Sequence, residues 1–152
     1  MSIFELFFSL IQLKVFPRMP HTSTVAVRFA DIDAMGHVNN ATFLNYFEQA
    51  RMQFFHDSIG GKWDWKRDGI VLARNEVDYL RPLFLQENVL IDTTVEAMGT
   101  KSLTISYEVY DQADTTRVVY ARGKSVIVCF DYHAGKTTVV PEVWKEKFST
   151  ED

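Results

Sequence analysis

The longest regular pattern in the chain is a helical segment, residues 41–59, and strand patterns follow it almost to the end of the sequence. Four side chains of this segment recur at helical spacing and share one face: Phe43, Phe47, Ala50 and Phe54. A helix of about 19 residues is roughly 28 Å long, enough to cross a small domain. Gly60 then supplies a residue suited to ending a helix. We therefore expect one long helix whose apolar face packs against a sheet.

Strand patterns lie on both sides of this helix. Three apolar residues before it alternate with polar or small ones and are expected on one face of a strand: Val25, Val27 and Phe29. Four strands are predicted after it, over residues 70–79, 87–97, 102–110 and 117–130. The last strand is expected to have a bulge near Gly123, and residues 141–148 to form a short helix. Short connections between strands imply an antiparallel sheet, so the fold class is α+β.

Residues 1–20 differ in character from the rest of the chain. They are apolar but carry Glu5 and no base before Lys14, which is not typical of a secretory signal. The apolar run is also too short to span a bilayer, which takes about 20 residues. Three interpretations are open: a helix that docks on the domain or on a partner, upstream sequence before a true start at Met19, or a membrane-surface anchor. Residues 21–152 are expected to form a single domain.

The composition limits the classes of partner and of compartment. A chain of 152 residues with 47% hydrophobic residues can form one packed core. The net charge of −4 argues against a nucleic-acid binder, which usually has a basic face. The single cysteine, Cys129, lies in an apolar run and is expected to be a buried core residue rather than a nucleophile. One cysteine cannot form an internal disulfide, so we expect a reducing compartment, the cytoplasm.

The loop before the long helix concentrates polar and reactive side chains. They are Asp31, Asp33, Gly36, His37, Asn39 and Asn40. Asn39 or Asn40 is suited to cap the helix by accepting a backbone N–H. A helix start leaves N–H groups unpaired and carries a partial positive charge. A carboxylate beside it can attack a carbonyl, or activate water to do so, while the N–H groups stabilise the oxygen. We therefore predict the active site here.

Other catalytic signatures are missing from the sequence. It has no Gly-x-Ser-x-Gly nucleophile elbow and no glycine-rich phosphate loop. It also lacks the Cys and His spacing of a metal site. We expect neither a metal ion nor an organic cofactor.

Two stretches around the helix resemble a known enzyme family. The first is VRFADIDAMGHVNN (residues 27–40), which continues to FEQAR (residues 47–51), and the second is VDYLRPL (residues 77–83). They resemble the acyl-CoA thioesterases of the 4-hydroxybenzoyl-CoA thioesterase type, and the likeness covers residues 24–146. It implies a hotdog fold, in which a curved antiparallel sheet wraps one long central helix. The GHVNN motif (residues 36–40) also resembles that of plant acyl-carrier-protein thioesterases, which share the fold.

The resemblance implies roles for individual residues of the loop. Asp33, the second acid of the pair, matches the family's catalytic carboxylate. Asn40 matches the position whose backbone N–H meets the thioester carbonyl. Asn39 matches a position where the acyl-carrier-protein enzymes use an asparagine. Many family members have aromatic residues around positions 37–40, so the sequence here disfavours an aromatic acyl group and leaves a fatty or branched one open.

Simpler structural roles are open for several of these residues. Asp31 is expected to be structural, capping the loop or pairing with Arg28 or Arg51. Asp33, judged by residue type and position alone, could equally be a turn-forming aspartate. His37 either forms a hydrogen bond within the loop or contacts the substrate.

The same choice applies to Gly36, Glu48 and the basic residues. Gly36 either allows a backbone turn or contacts the ligand. Glu48 either forms a helix ion pair with Arg51 or acts at the site across a dimer interface. The phosphates of coenzyme A require bases near the pocket mouth, and the candidates are Arg74, Arg81, Lys101, Arg122 and Lys124.

These observations predict an acyl-CoA thioesterase that converts an acyl-CoA and water to the free acid and CoA. A sheet with exposed edges needs them covered, and the family pairs sheets between subunits, so we expect a homodimer or a tetramer. Two alternatives are open: a module that binds acyl-CoA or acyl-carrier protein without turnover, and a thioesterase of acyl-carrier protein. A hydratase of the same fold is disfavoured because its His-and-acid motifs do not appear. We expect no nucleic-acid partner and no membrane partner.

Overall fold

The computed structural model describes residues 19–85 and 88–149. The predictions for the N-terminal extension fall on residues 1–18 and lie outside the described residues. Within the described ranges, neither helix combines the length and the apolar character that crossing a membrane requires.

The described residues form a sheet, two helices and one short 3-10 helix. The strands are β1 (His21–Val25), β2 (Gly69–Tyr79), β3 (Val89–Met98), β4 (Ser102–Ala113), β5 (Thr116–Asp131) and β6 (Lys136–Thr137). The helices are α1 (Thr42–Ile59) and α2 (Glu142–Phe148), and the 3-10 helix covers Phe29–Asp31. The long helix, strands β2 to β5 after it and the terminal helix confirm the predicted order of elements, and the two-residue β6 was not predicted.

The sheet is antiparallel throughout and runs in the order β1–β3–β4–β5–β2, with β6 paired to β5. β1 and β2 are therefore the two edges of the sheet. β2 has 11 residues and pairs with β5 on one side, and no described strand pairs with its other side. With one long helix on this sheet, the α+β hotdog prediction is confirmed.

The core lies between α1 and the sheet. α1 packs against β1 and β3, and Phe47 stacks on Tyr107 of β4 with ring centroids 4.5 Å apart. Phe47 is fully buried, and burying such a side chain contributes about 1.5–3 kcal/mol. A Cβ at position 123 would overlap Cε2 of Phe47. Gly123 therefore allows the helix to approach β5 closely.

Two details of the strand predictions are wrong. The first strand ends at Val25 rather than at residue 29, because the chain turns into the 3-10 helix. Phe29, expected on the buried face, is 84% exposed. The irregularity of β5 lies at Tyr120 rather than at Gly123, because Val109 pairs with Ala121 while its neighbour Tyr110 pairs with Val119.

Candidate active site

The 3-10 turn before α1 is built around Asp31. Oδ2 of Asp31 accepts the backbone N–H of Arg28 at 2.9 Å and the hydroxyl of Tyr46 at 2.8 Å, and Oδ1 accepts Nη2 of Arg28 at 2.8 Å. The Asp31 side chain is 3% exposed, and that of Arg28 is 64% exposed. Of the two arginines expected as partners of Asp31, Arg28 forms the pair and Arg51 does not. Asp31 is therefore a structural centre of the turn.

Asp31 is held as an anion. Burial would raise its pKa, but the hydrogen bonds from Arg28 and Tyr46 outweigh burial and hold the pKa of Asp31 below its usual value. Burial and the bond to Asp31 together raise the pKa of Tyr46. Both oxygens of Asp31 are occupied by donors, so this carboxylate is poorly placed to take a proton from a substrate.

Asp33 opens a short loop that closes on itself. Its backbone N–H donates to the carbonyl of His37 at 2.9 Å, and the N–H of Gly36 donates to the carbonyl of Asp33 at 3.0 Å. Gly36 has φ of +86°, in the left-handed region that favours glycine. This backbone conformation agrees with a turn role for Gly36, and it brings His37 back beside Asp33.

The side chain of Asp33 differs from that of Asp31 in its surroundings. Oδ1 accepts the N–H of Met35 at 2.8 Å, which is the turn-forming contact that the sequence left open. Oδ2 lies 3.6 Å from Nδ1 of His37, just beyond hydrogen-bond distance. The Asp33 side chain is 25% exposed and that of His37 is 33% exposed. Asp33 therefore keeps one oxygen available for another partner.

Asn39 caps the turn that leads into α1. Its Oδ1 accepts the N–H of Ala41 at 2.9 Å, and its carbonyl accepts the N–H of Thr42 at 2.9 Å. Ala41 is the N-cap residue of α1, and no side chain caps it. The prediction that Asn39 or Asn40 is the N-cap is therefore wrong, and Asn39 instead stabilises the turn two residues before the N-cap. No described residue accepts the backbone N–H of Asn40. That group is the donor expected for the thioester carbonyl.

Tyr79, at the end of β2, fixes this helix start. Its hydroxyl donates to the carbonyl of Asn40 at 2.8 Å. Its ring meets Phe43 of α1 edge to face, with centroids 5.3 Å apart. Tyr79 lies in the second stretch that resembles the family, but sequence reasoning gave it no role, because the contact spans 39 positions of sequence.

The segment after Tyr79 also holds the loop. The N–H of Val38 donates to the carbonyl of Leu83 at 2.7 Å. The ring of Phe84 packs edge to face against that of His37, with an interplanar angle of 78° and centroids 6.4 Å apart. The two sequence stretches quoted for the family resemblance therefore meet in space.

A groove of about 230 Å³ lies where these two stretches meet. Its polar lining includes His37, Asn40 and Arg81, and Tyr79 also lines it. The guanidinium of Arg81 is held by a hydrogen bond from Nη1 to the carbonyl of Val119 at 2.8 Å. The groove therefore combines an imidazole, an unpaired backbone N–H and a cation. Asp33 reaches this groove through His37 rather than lining it.

Several of the predicted site residues lie elsewhere. Arg74 pairs with Glu76 at 2.5 Å and does not line the groove. Two other candidate bases also pair on the sheet: Arg122 with Glu108 and Lys124 with Glu96. Glu48 is exposed on α1 and forms no ion pair with Arg51 in the described structure, so that interpretation of Glu48 is wrong.

The described residues include no cluster of metal ligands, and the thiol among them is buried. Between residues 19 and 149, leaving out positions 86 and 87, no three His, Cys, Asp or Glu side chains cluster closely enough to hold a metal ion. Cys129 is buried, and burial raises the pKa of its thiol to about 11. The cysteine therefore behaves as the core residue that the sequence predicts.

The chain is similar in sequence and in fold to known proteins. The sequence model of the Thioesterase-like superfamily matches residues 27–148. A crystal structure of a thioesterase from Thermus thermophilus, solved with coenzyme A and Zn, aligns with a TM-score of 0.71 and 35% identity, over 88% of this chain and 94% of that one.

Two further relatives are known from sequence. The long-chain acyl-CoA thioesterase FadM of Escherichia coli (strain K12) is 25% identical over 124 residues, covering 81% of this chain and 92% of FadM. The uncharacterized protein YsmA of Bacillus subtilis (strain 168) is 36% identical over 83 residues, 55% of this chain. The chain matches 56% of the length of YsmA, a little over half.

Proposed function

The chain belongs to the Thioesterase-like superfamily, and we propose that it is an acyl-CoA thioesterase that releases a free acid and CoA. The observation that carries this proposal is the junction of loop and helix. No described residue accepts the N–H of Asn40 at this junction. The carboxylate of Asp33 lies 3.6 Å from Nδ1 of His37, and its Oδ2 accepts no hydrogen bond from a described residue.

The proposed chemistry uses the helix start for the carbonyl and Asp33 for the attack. The N–H of Asn40 donates to the thioester oxygen and stabilises the negative charge that develops there. Asp33 either takes a proton from water as the water oxygen bonds to the carbonyl carbon, or attacks that carbon itself. In the direct route, the C–S bond breaks as CoA leaves and a mixed anhydride forms on Asp33. Water then hydrolyses this anhydride to the free acid and the Asp33 carboxylate, and its proton goes to the sulfur of CoA. In the water route, the tetrahedral intermediate then breaks its C–S bond, and the sulfur of CoA leaves and takes up the proton.

His37 offers a second path for the proton. Its ring lines the groove and lies 3.6 Å from the carboxylate of Asp33. In this arrangement Asp33 would orient the imidazole, and the imidazole would contact the water. His37→Gln distinguishes the two paths. A loss as large as that of Asp33→Asn supports transfer through His37, and a loss below about tenfold supports direct action by Asp33.

The acyl group and its carrier are the finer part of the proposal. The name of FadM, a long-chain acyl-CoA thioesterase, favours a fatty acyl group, and residues 37–40 of the loop include no Phe, Tyr or Trp. Arg81 is the cation at the groove and is suited to a phosphate of the carrier. Acyl-carrier protein is the alternative carrier, and a pantetheine arm is common to both.

A homodimer is proposed from the free edge of β2. This strand has 11 residues and no described partner on its outer side. An edge strand left open is a template for pairing with another chain. Sedimentation equilibrium at several concentrations is expected to give the mass of two chains or four.

The proposed location is the cytoplasm. The one cysteine of the sequence, Cys129, is buried as a free thiol. A chain without a disulfide needs no oxidising compartment to fold.

The test is CoA release from a panel of acyl-CoA substrates of increasing chain length, with Asp33→Asn as the comparison. We expect turnover by the wild type on at least one chain length. Calorimetry of the same acyl-CoA compounds measures binding separately. Tight binding with no CoA release at any chain length would establish the alternative of a binding module.

A further inference from the structure

A buried arginine lies outside the groove just described. Arg51 of α1 is 6% exposed. Its Nη1 donates to the hydroxyl of Tyr107 at 2.9 Å and to Oγ of Ser125 at 3.5 Å. Ser125 in turn donates to Oδ1 of Asn75 at 2.6 Å. The arginine therefore joins the helix to three strands of the sheet, through neutral partners only.

The charge of Arg51 has no counterion in the described structure. Its Nε is buried without an acceptor, and its hydrogen bonds to described residues all go to hydroxyl oxygens. Nε is closed off from solvent, but no described residue accepts the N–H groups of Nη2. An uncompensated buried charge is costly, on the order of several kcal/mol. The Nη2 donors are thus available to an anion, which would also compensate the charge.

A cavity of about 320 Å³ adjoins this side chain. Arg51 lines it together with the apolar side chains of Trp65, Ile70, Leu72 and Ile127. Its volume is at the lower end of the range for small-molecule pockets, roughly 300–1,000 Å³. The cavity also has one acid, the exposed Glu48, but apolar walls with a buried cation favour a molecule that has an apolar body and one negative group. The weak screening inside such a pocket strengthens that selection.

We propose that this cavity, the Arg51 pocket, binds an apolar molecule that carries a carboxylate, with the guanidinium of Arg51 as its partner. Two sources share this chemistry. One is a free acid, of the type that thioester hydrolysis releases. The other is an acyl-CoA whose acyl group ends in a second carboxylate. Binding of a free acid requires no turnover, so the pocket can be tested independently of the proposed thioesterase activity.

The charge of Glu48 allows a test that predicts the direction of a change in binding affinity. This glutamate also lines the cavity and is exposed to solvent. Its negative charge opposes an incoming carboxylate, although solvent screens the repulsion. Removing the charge by Glu48→Gln is therefore expected to tighten binding of an anion, by about twofold to fivefold, and to leave binding of a neutral analogue unchanged.

The main experiment compares benzoate with benzamide, which have the same size and differ in charge. Isothermal titration calorimetry of the full chain is expected to show benzoate binding at least tenfold more tightly than benzamide. Arg51→Met should abolish the difference. Arg67→Met is the matched control, because Arg67 is an exposed arginine paired with Asp68 and outside the pocket. The control should keep the tenfold preference.

A second variant tests the pocket independently if circular dichroism shows that Arg51→Met does not fold. Leu72→Trp enlarges a wall residue that is half exposed and is expected to fill the pocket and remove benzoate binding. Equal binding of benzoate and benzamide by the wild type overturns the proposal. So does benzoate binding that survives both substitutions, since it would then belong to the groove beside Asn40.

The two sources are separated by kinetics and competition. If the acyl group supplies the carboxylate, KM for adipoyl-CoA is expected to be about tenfold below that for hexanoyl-CoA, and Arg51→Met should remove the gap. If a free acid is the ligand, the two KM values are alike and the calorimetric preference for benzoate is kept. Failure of both substrates to turn over would reject the proposed enzyme but leave the benzoate result as the test of the pocket.

Discussion

Asp31 and Asp33 stand two residues apart in one loop and have opposite surroundings. Asp31 is 3% exposed, and its two oxygens accept hydrogen bonds from Arg28 and Tyr46. Asp33 is 25% exposed, and among the described residues its carboxylate accepts one hydrogen bond, from the N–H of Met35 to Oδ1. The number of hydrogen bonds that a carboxylate already accepts, rather than its residue type, therefore separates a structural carboxylate from one that can react.

The physical basis of the difference is the competition between donors and substrate. A carboxylate that already accepts several charge-assisted bonds gains little by taking a proton, which is why the pKa of Asp31 is held below its usual value. A carboxylate with a free oxygen can accept a proton or bond to carbon. Substitutions at the two positions should therefore change different measured quantities.

The largest effect is expected for Asp33→Asn. Loss of a general base typically lowers the rate by about 10²–10⁴, and we expect kcat to fall in that range. The melting temperature should change little, because Asn can still accept the N–H of Met35. Steady-state assays of CoA release with parallel thermal scans check both parts. Full activity in Asp33→Asn, with activity lost in Glu48→Gln, would show that Glu48 of α1 is the base instead of Asp33.

Asp31→Asn is expected to act on stability. It removes the charge that pairs with Arg28, and hydrogen bonds to a charged group contribute about 1.5–3 kcal/mol. We expect the free energy of unfolding in urea to fall by about 2–3 kcal/mol. Asp64→Asn is the control, since exposed Asp64 accepts only backbone N–H groups, which an amide oxygen can also bond. An unchanged stability in Asp31→Asn would remove the assigned role.

The pH dependence sharpens the same comparison. The pKa of Asp31 is lower in the folded state than its ordinary value of 3.8. Its contribution to stability is therefore fully present above that value and is lost as the pH falls through the folded pKa. The stability gap between wild type and Asp31→Asn should be constant from about pH 7 to 5 and shrink below about pH 4. A gap that grows on acidification would contradict this sign.

The smallest effect is expected for Gly36→Ala in the loop that carries Asp33. A side chain at φ of +86° is strained even though nothing lies within 4 Å of the new Cβ. We expect a loss of about 1 kcal/mol in the free energy of unfolding. Gly36→Asn should lose less, because asparagine tolerates the left-handed region better. Equal stability of all three proteins would show that the loop relaxes freely.

The loop was the part of the site most open to prediction. Asp31, Asp33, His37 and Asn39 interact within a few residues, so turn and capping preferences act on a short piece of chain. The pairing of Asp31 with Arg28 was predicted for that reason. The exposure of Phe29 was not, because the alternation of apolar residues continues past the point where the chain turns.

Long-range contacts escaped prediction. Tyr79 meets Asn40 across 39 positions, and Arg51 meets Tyr107 across 56 and Ser125 across 74. No local preference marks such pairs, because they depend on strand order and register. Arg51 follows Glu48 at helical spacing, but its guanidinium is buried against the sheet, where it bonds to Tyr107 and Ser125.

The sequence by itself determined the long helix, the antiparallel strands and the acidic loop that runs into the helix start, because periodicity and turn chemistry are local. Tertiary structure alone decided which edge of the sheet β2 occupies and where Tyr79 and Arg81 meet the loop. It also decided that the charge of Arg51 faces a cavity without a counterion among the described residues. The reason is that burial and hydrogen-bond occupancy depend on every element that packs around a side chain.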